Sequence, residues 1–272
     1  MTMRHTKNRT TNDPVVEISG QTLAAVESVS GTISRSGRLS QVDGRAMSIH
    51  NPIQPASVAS ITLSRLERRL VTFYDFDPEA SAPFHRLAIS LISASATWNI
   101  QRVLIASALY GDGRTSVTLN LAAALSRARQ RVLVVDSDFV RPSALRQLGV
   151  DAEIGLAEAI TQDLPPGDAM MRVLPGGFNL LPTRAPVENS AELLASPVFE
   201  RMLRILEPDY DFILFDSAPL LEVADASLLE LCTDSTLLII RPGCASTRQM
   251  ARAITLLDEK RILGAVLNRV VT

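Results

Sequence analysis

Aromatic side chains make up only 4% of this chain although 46% of its residues are hydrophobic. That excludes an interior of stacked rings and leaves one of Leu, Val, Ile and Ala. Cysteine is nearly absent: Cys232 and Cys244 are the only two. Neither has a second cysteine or a histidine at metal-ligand spacing, so a disulfide scaffold and a zinc site are both unsupported. An excess of one charge is missing as well, because 27 Lys and Arg against 29 Asp and Glu leave a formal net charge of −2. Without clustered positive charge there is no general grip on phosphate backbones, and nucleic acid is not an expected partner. No apolar run reaches the length of about 18 residues that a membrane span needs. The opening MTMRHTKNRTTND also lacks the apolar stretch of a secretory signal. The expectation is a cytoplasmic protein.

What is present divides in two. Residues 1–80 are rich in Ser, Thr, Asn and Pro and show no sustained period of 2 or 3.6, so they read as a mostly disordered segment. The exception is 61–74, ITLSRLERRLVTFY, where Leu63, Leu66, Leu70 and Phe73 line one face of a short helix. Residues 81–272 read as one domain in which short aliphatic runs alternate with helical patterns. Runs at 103–106, 132–135, 179–181, 212–215, 237–240 and 265–267 are nearly all apolar, as strands buried on both faces must be. A helix at 116–129, with Val117, Leu121, Ala124, Leu125 and Ala128 on one stripe, joins the first two. The pattern predicts an α/β fold: a doubly wound, mainly parallel sheet flanked by helices.

The loop between the first strand and this helix, residues 107–116, reads SALYGDGRTS. A phosphate cradle needs glycines that turn backbone N–H groups inward, a helix N-terminus, a cation and a hydroxyl for magnesium. Gly111, Gly113, Arg114 and Thr115 supply these in order, and with Asp112 and Ser116 they form the candidate binding segment. The usual pattern has lysine where Arg114 stands and glycine where Ala108 stands. An ordinary Gly-Asp-Gly turn would look similar. Two further features favour the cradle: the run 132–135 leads straight into Asp136 and Asp138, and 212–215 into Asp216. Ligands of open α/β sheets sit beyond the carboxyl ends of the strands, so Asp136, Asp138 and Asp216 would face the loop, hold magnesium through water and orient an attacking hydroxyl. The bland alternative is that Asp136 or Asp216 caps the next helix. Read together, loop and carboxylates predict a P-loop NTPase site for ATP or ADP with Mg2+.

These residues carry a resemblance. Residues 84–272 resemble the cytoplasmic domain of bacterial tyrosine kinases of the capsular and exopolysaccharide type. The matching segments are SALYGDGRTS, RVLVVDSDFVRPSALRQLGV, GLAEAI, PVENSAELLASPVFERML, YDFILFDSAPLLEVADA, LLIIRPGCASTRQM and GAVLNRV. The resemblance implies that Arg114 stands at the phosphate-binding lysine and Thr115 at the magnesium-binding hydroxyl. Asp136 and Asp138 occupy the second acidic motif, with Asp138 accepting the substrate tyrosine's proton, and Asp216 the metal-associated one. Arg241 and Asn268 would lie near the base, and Asp225 would be structural. The implied partner is a membrane polysaccharide chain-length regulator (co-polymerase) that recruits the protein to the inner face of the membrane.

The chain departs from that family in three ways. Arg114 keeps the charge of lysine but is broad and planar, which threatens positioning for phosphoryl transfer more than it threatens binding. No tyrosine-rich tail follows the last strand: Tyr74, Tyr110 and Tyr210 are the only tyrosines, so autophosphorylation of a tail is not expected. The charged residues of the family's ring contact are replaced by Ala82, His85 and Ala88, which removes that route to a homo-oligomer. A non-catalytic, nucleotide-dependent regulator docking on the same machinery therefore stays open. So does a partition or positioning ATPase, although residues 107–113 lack the extra lysine those proteins use.

Overall fold

The computed structural model describes residues 51–61, 69–73 and 78–268. Among them is an eight-stranded sheet of β1 (Ser57–Ser60), β2 (Arg102–Ser107), β3 (Val132–Asp136), β4 (Met171–Leu174), β5 (Phe178–Leu181), β6 (Phe212–Asp216), β7 (Ser235–Ile240) and β8 (Ile262–Leu267). The order across the sheet is β1-β4-β5-β3-β6-β2-β7-β8. All neighbours run parallel except β4 and β5, so β1 and β4 are reversed against the other six. Those six are the strands that the apolar runs predict. Helices α1 (Pro78–Trp98), α2 (Arg114–Arg127), α3 (Ala144–Leu148), α4 (Leu156–Thr161), α5 (Pro166–Ala169), α6 (Ser190–Leu194), α7 (Pro197–Leu206), α8 (Asp225–Leu231) and α9 (Thr247–Ile254) connect and cover them. The fold is the doubly wound α/β fold of P-loop NTPases. None of these helices is long and apolar enough to cross a membrane.

Successive residues of one strand feed two different cores, which is why the strands are apolar throughout. Val103 and Ile105 of β2 pack with Leu87 and Leu91 of α1 and with Val117 and Leu121 of α2. Leu104 and Ala106 pack on the other face with Phe199, Met202 and Leu203 of α7.

The structure corrects the sequence at the amino-terminal side. Of the expected helix over 61–74 only residues 61 and 69–73 are described, and 69–73 form a turn. Leu70 and Phe73 are nevertheless buried. The Phe73 and Phe178 rings meet edge to face at 5.9 Å. The backbone N–H of Thr72 donates to Asn120 Oδ1 at 3.0 Å, and Asn120 Nδ2 donates to the carbonyl of Arg69 at 2.8 Å. Residues 57–60 add an edge strand beside β4. These parts of 1–80 therefore belong to the domain, because α2 and β5 expose apolar surface that 69–73 covers. Helix α2 begins at Arg114, two residues before the expected 116, since Gly113 already forms its amino-terminal cap. Of the three replaced ring-contact positions, Ala88 is buried in the core, while Ala82 and His85 are half-buried.

Phe73→Ala is expected to destabilise the chain by about 3–5 kcal/mol, the usual range for emptying a buried aromatic site. Urea denaturation measures this, and an unchanged midpoint would separate 69–73 from the core.

Candidate nucleotide site

Gly111 and Gly113 hold φ of +88° and +91°, a region that side chains with a Cβ rarely occupy. At Gly113 space forbids one too, as a Cβ would fall 2.1 Å from Asn268 Nδ2. With Gly113 at the cap and no side chain bonded over it, the first-turn N–H groups of α2 form a ready anion nest. The loop is braced from below and behind. Asp112 is buried, and its Oδ2 accepts from Leu109 N–H at 3.0 Å. Asn268 Nδ2 donates to the Asp112 carbonyl at 2.9 Å, and Arg241 Nη1 to the Gly111 carbonyl at 3.3 Å. Ser116 Oγ donates to Gln147 Oε1 on α3 at 2.9 Å. The side chains of Asp112, Ser116, Arg241 and Asn268 thus engage protein groups in and around the loop. Thr115 Oγ1 accepts from Ser143 Oγ at 2.9 Å.

The carboxylates lie where the strands end. Asp136 and Asp216 are register partners on β3 and β6, and both are buried. Burial, and next the charge of Asp216, push Asp136 well above the ordinary carboxylate range. Its oxygens accept only backbone N–H groups, from Ala144 at 3.1 Å and Asp138 at 3.4 Å. Burial raises Asp216 from 3.8 to about 6, against the lowering effect of Arg114 and the Thr115 hydroxyl. Among the described residues no donor reaches either Asp216 oxygen in hydrogen-bond geometry, the Thr115 and Thr118 hydroxyls being its near neighbours. The loop and the carboxylates thus stand together at this end of the sheet: Arg114 of the loop reaches Asp138, and the Thr115 hydroxyl lies near Asp216.

Arg114 is 6% exposed and folds back toward the strand ends. Nη1 donates to Ser107 Oγ at 2.6 Å and Nη2 pairs with Asp138 Oδ2 at 3.3 Å, leaving Nε without a partner. Asp138 also accepts from Tyr110 Oη at 3.3 Å and from Arg141 N–H at 2.9 Å. The Tyr110 ring lies 4.3 Å from the Arg141 guanidinium and 5.6 Å from that of Arg114. Burial first, then the Asp138 charge, raises the Tyr110 phenol to about 12. Sequence reasoning missed Tyr110 as a member of the site, although it stands inside the quoted loop. Thr183, whose Oγ1 donates to the Asp136 carbonyl at 2.6 Å, gave no local signal. Asp225 is buried at the start of α8, in keeping with a structural place.

These residues fit a magnesium nucleotide. The glycine-lined nest suits phosphate oxygens, and Asp216 is a buried carboxylate with both oxygens unengaged, close to the Thr115 hydroxyl. Among the described residues no three His, Cys, Asp or Glu could hold a metal together. A magnesium ion would therefore depend on nucleotide oxygens and Thr115 as well as Asp216.

Residues 101–261 match the family described as AAA domain, and the chain belongs to that family of P-loop ATPase folds. Within it, the chain is similar to the bacterial tyrosine-protein kinases. It is 26% identical to the tyrosine-protein kinase YwqD of Bacillus subtilis over 207 residues, covering 75% of this chain and 87% of YwqD. With the tyrosine-protein kinase etk of Escherichia coli it shares 27% over 171 residues, 62% of this chain but only 24% of etk. The BceF tyrosine kinase domain superposes with a TM-score of 0.68 at 26% identity, covering 76% of this chain and 84% of that one. The septum site-determining protein MinD of Pyrococcus horikoshii, complexed with Mg-ADP, superposes less well, with a TM-score of 0.51 at 26% identity over 61% of this chain and 67% of that one.

The raised Asp216 sets a pH dependence. Its folded-state pKa of about 6 lies above the ordinary 3.8, so the stability that protonation provides is present at low pH and is lost as pH rises through about 6. Asp216→Asn removes that loss. The variant is expected to melt higher than the native chain at pH 8, by an amount on the order of 2–3 kcal/mol in stability, with the gap narrowing as pH falls below about 6 and closing only below the ordinary 3.8. Thermal denaturation across pH reads both effects; a variant less stable at every pH contradicts them.

Proposed function

We propose that the chain is a Mg-ATP-binding protein of the bacterial tyrosine-kinase type, working in exopolysaccharide or capsule biosynthesis with attenuated phosphotransfer. The observation that carries this reading is the register pairing of Asp136 with Asp216 beside the glycine turn that opens α2. The N–H nest and Arg114 hold the phosphates, Thr115 and Asp216 hold the ion, and Asp136 and Asp138 complete the acidic wall. Magnesium would supply charge neutralisation across the phosphates. In transfer to a protein tyrosine, the tyrosine oxygen bonds to the terminal phosphorus, the bond to ADP breaks, and the phenolic proton passes to Asp138.

The attenuation follows from the Arg114 contact. The guanidinium that should meet the phosphates is paired with the carboxylate that should take the proton. Turnover requires Arg114 to leave Asp138, and a planar guanidinium enters a tight nest less readily than an ammonium. The same contact favours a second reading: a regulator in which nucleotide binding, without turnover, displaces Arg114 and controls docking to a membrane polysaccharide chain-length protein at the inner face of the membrane. A partition or positioning ATPase has less support. The MinD superposition is poorer than that on kinase domains, and residues 107–113 carry no lysine.

Titration with Mg-ATP and a phosphotransfer assay on a tyrosine peptide, for the native chain and Arg114→Lys, test the proposal. The native chain is expected to bind Mg-ATP with weak transfer, and Arg114→Lys to transfer at least about tenfold faster, since phosphoryl transfer rests on positioning. Binding by both with turnover by neither selects the regulator. Absence of binding in both removes the two readings together.

A further inference from the structure

A cavity of about 550 Å3 opens at the end of the sheet opposite the phosphate loop. It lies at the amino ends of β3 and β5, where Val132 and Asn179 contribute to its wall. This volume falls within the range of roughly 300–1,000 Å3 typical of small-molecule sites. Helix α2 reaches both places, with its first turn at the phosphate loop and Ser126 at the cavity, roughly 20 Å apart at 1.5 Å per residue.

Residues 52–55 close the cavity as a strap. The Ile53 N–H donates to Asp209 Oδ2 at 2.8 Å, and the Ala56 N–H to the Gly167 carbonyl at 2.9 Å. The strap seats closely on α5, where a Cβ at Gly167 would come 2.8 Å from the Gln54 carbonyl oxygen. Residues 52–55 are therefore held in place by the domain.

Three arginines line this space. Arg131 is engaged by Asp211, with Nη2 to Oδ1 at 2.7 Å. Arg172, half-buried on β4, donates Nη1 to the neutral Asn179 Oδ1 at 3.2 Å, and Asn179 in turn donates to Tyr210 Oη at 2.7 Å. Arg129 is exposed at the cavity rim, on a backbone of φ +63° that turns the chain out of α2. Neither Arg129 nor Arg172 has a carboxylate ion-pair partner among the described residues. With Arg131 cancelled by Asp211, the two remaining guanidiniums outweigh Asp209 by one positive charge. The carbonyl end of α2 does not offset them, because Arg129 N–H and Gln130 N–H already bond the Ser126 and Leu125 carbonyls at 3.0 and 3.1 Å.

From this we infer a second binding site, for a small phosphate ester whose phosphoryl group is held by Arg129 and Arg172 and whose body lies under the strap. Arg172 is taken partly out of water and bonds a neutral amide, and Asp209 offsets only one of the two guanidiniums, so an anion completes the site; a phosphoryl dianion can accept bidentately from two forks. A cation would be repelled, and a neutral ligand would leave the charge uncompensated. The inference does not depend on the nucleotide reading.

Hydrogen exchange of the full chain, with glucose 1-phosphate, inorganic phosphate and glucose as probes at millimolar concentration, locates the binding. Glucose 1-phosphate is expected to slow exchange over 51–58 and 126–133, and glucose to leave it unchanged. In Arg129→Gln/Arg172→Gln, melting as the native chain does, the apparent affinity should fall by at least about tenfold, as charge-assisted bonds of this kind predict. If that variant fails to fold, Arg129→Gln alone, at an exposed side chain, carries the comparison. Equal protection by inorganic phosphate assigns the site to the phosphoryl group itself, and tighter glucose 1-phosphate assigns it to an ester. Protection confined to 107–116, protection unaltered by the substitutions, or equal protection by glucose overturns the inference. Slowing over 107–116 by Mg-ATP is a separate signal, so either site can fail without the other.

Discussion

Two carboxylates forced together at the ends of adjacent parallel strands set the terms for this protein. Asp136 and Asp216 share a register position and are both buried; among the described residues neither forms an ion pair, and the nearby Arg114 lowers Asp216 only in part. Like charges in a desolvated space raise each other's proton affinity. The domain tolerates this because strand ends in open sheets leave room for a ligand to supply the missing positive charge. The neighbouring elements answer that constraint: the nest of α2, the Thr115 hydroxyl, and the Arg114 guanidinium drawn in toward Asp138.

Arg114 shows how one substitution of similar charge rewires a site. A lysine there would be a compact point charge on a flexible stem. The guanidinium instead has enough donors to reach Ser107 and Asp138 together, and its plane lies near the Tyr110 ring. Tyr110 and Arg141 then close over the same carboxylate. The result is a polar cluster that is nearly satisfied before any nucleotide arrives, so binding must replace existing bonds as well as form new ones.

What could be read from the chain follows from which contacts are local. The six parallel strands were legible because burial on both faces demands uninterrupted aliphatic runs, as in VLVVD and FILFD. The reversed pair was not. Strand β1 reads SVAS with three of its four residues exposed, and β4 carries Arg172 and ends on the exposed Leu174. Neither has the continuous hydrophobicity that marks an interior strand. At the site, glycines and strand-end aspartates announced themselves by position. The roles of Asp112 and Ser116 did not, because a loop pattern cannot say which side chains turn inward to brace it. The burial of 69–73 was also hidden, since Asn120, which fixes it, lies some fifty residues along the chain.

The side chain of Asn268 stands where a Cβ on Gly113 would project, which makes the end of the last strand a physical wall of the first loop. The loop's shape is therefore not a property of its ten residues. Transplanting SALYGDGRTS to another strand-helix junction would carry over the glycines but not the amide that fills the space beside them. A faithful graft would have to bring β8 and its neighbour β7 as well, so the smallest transferable unit of this phosphate cradle spans most of the domain.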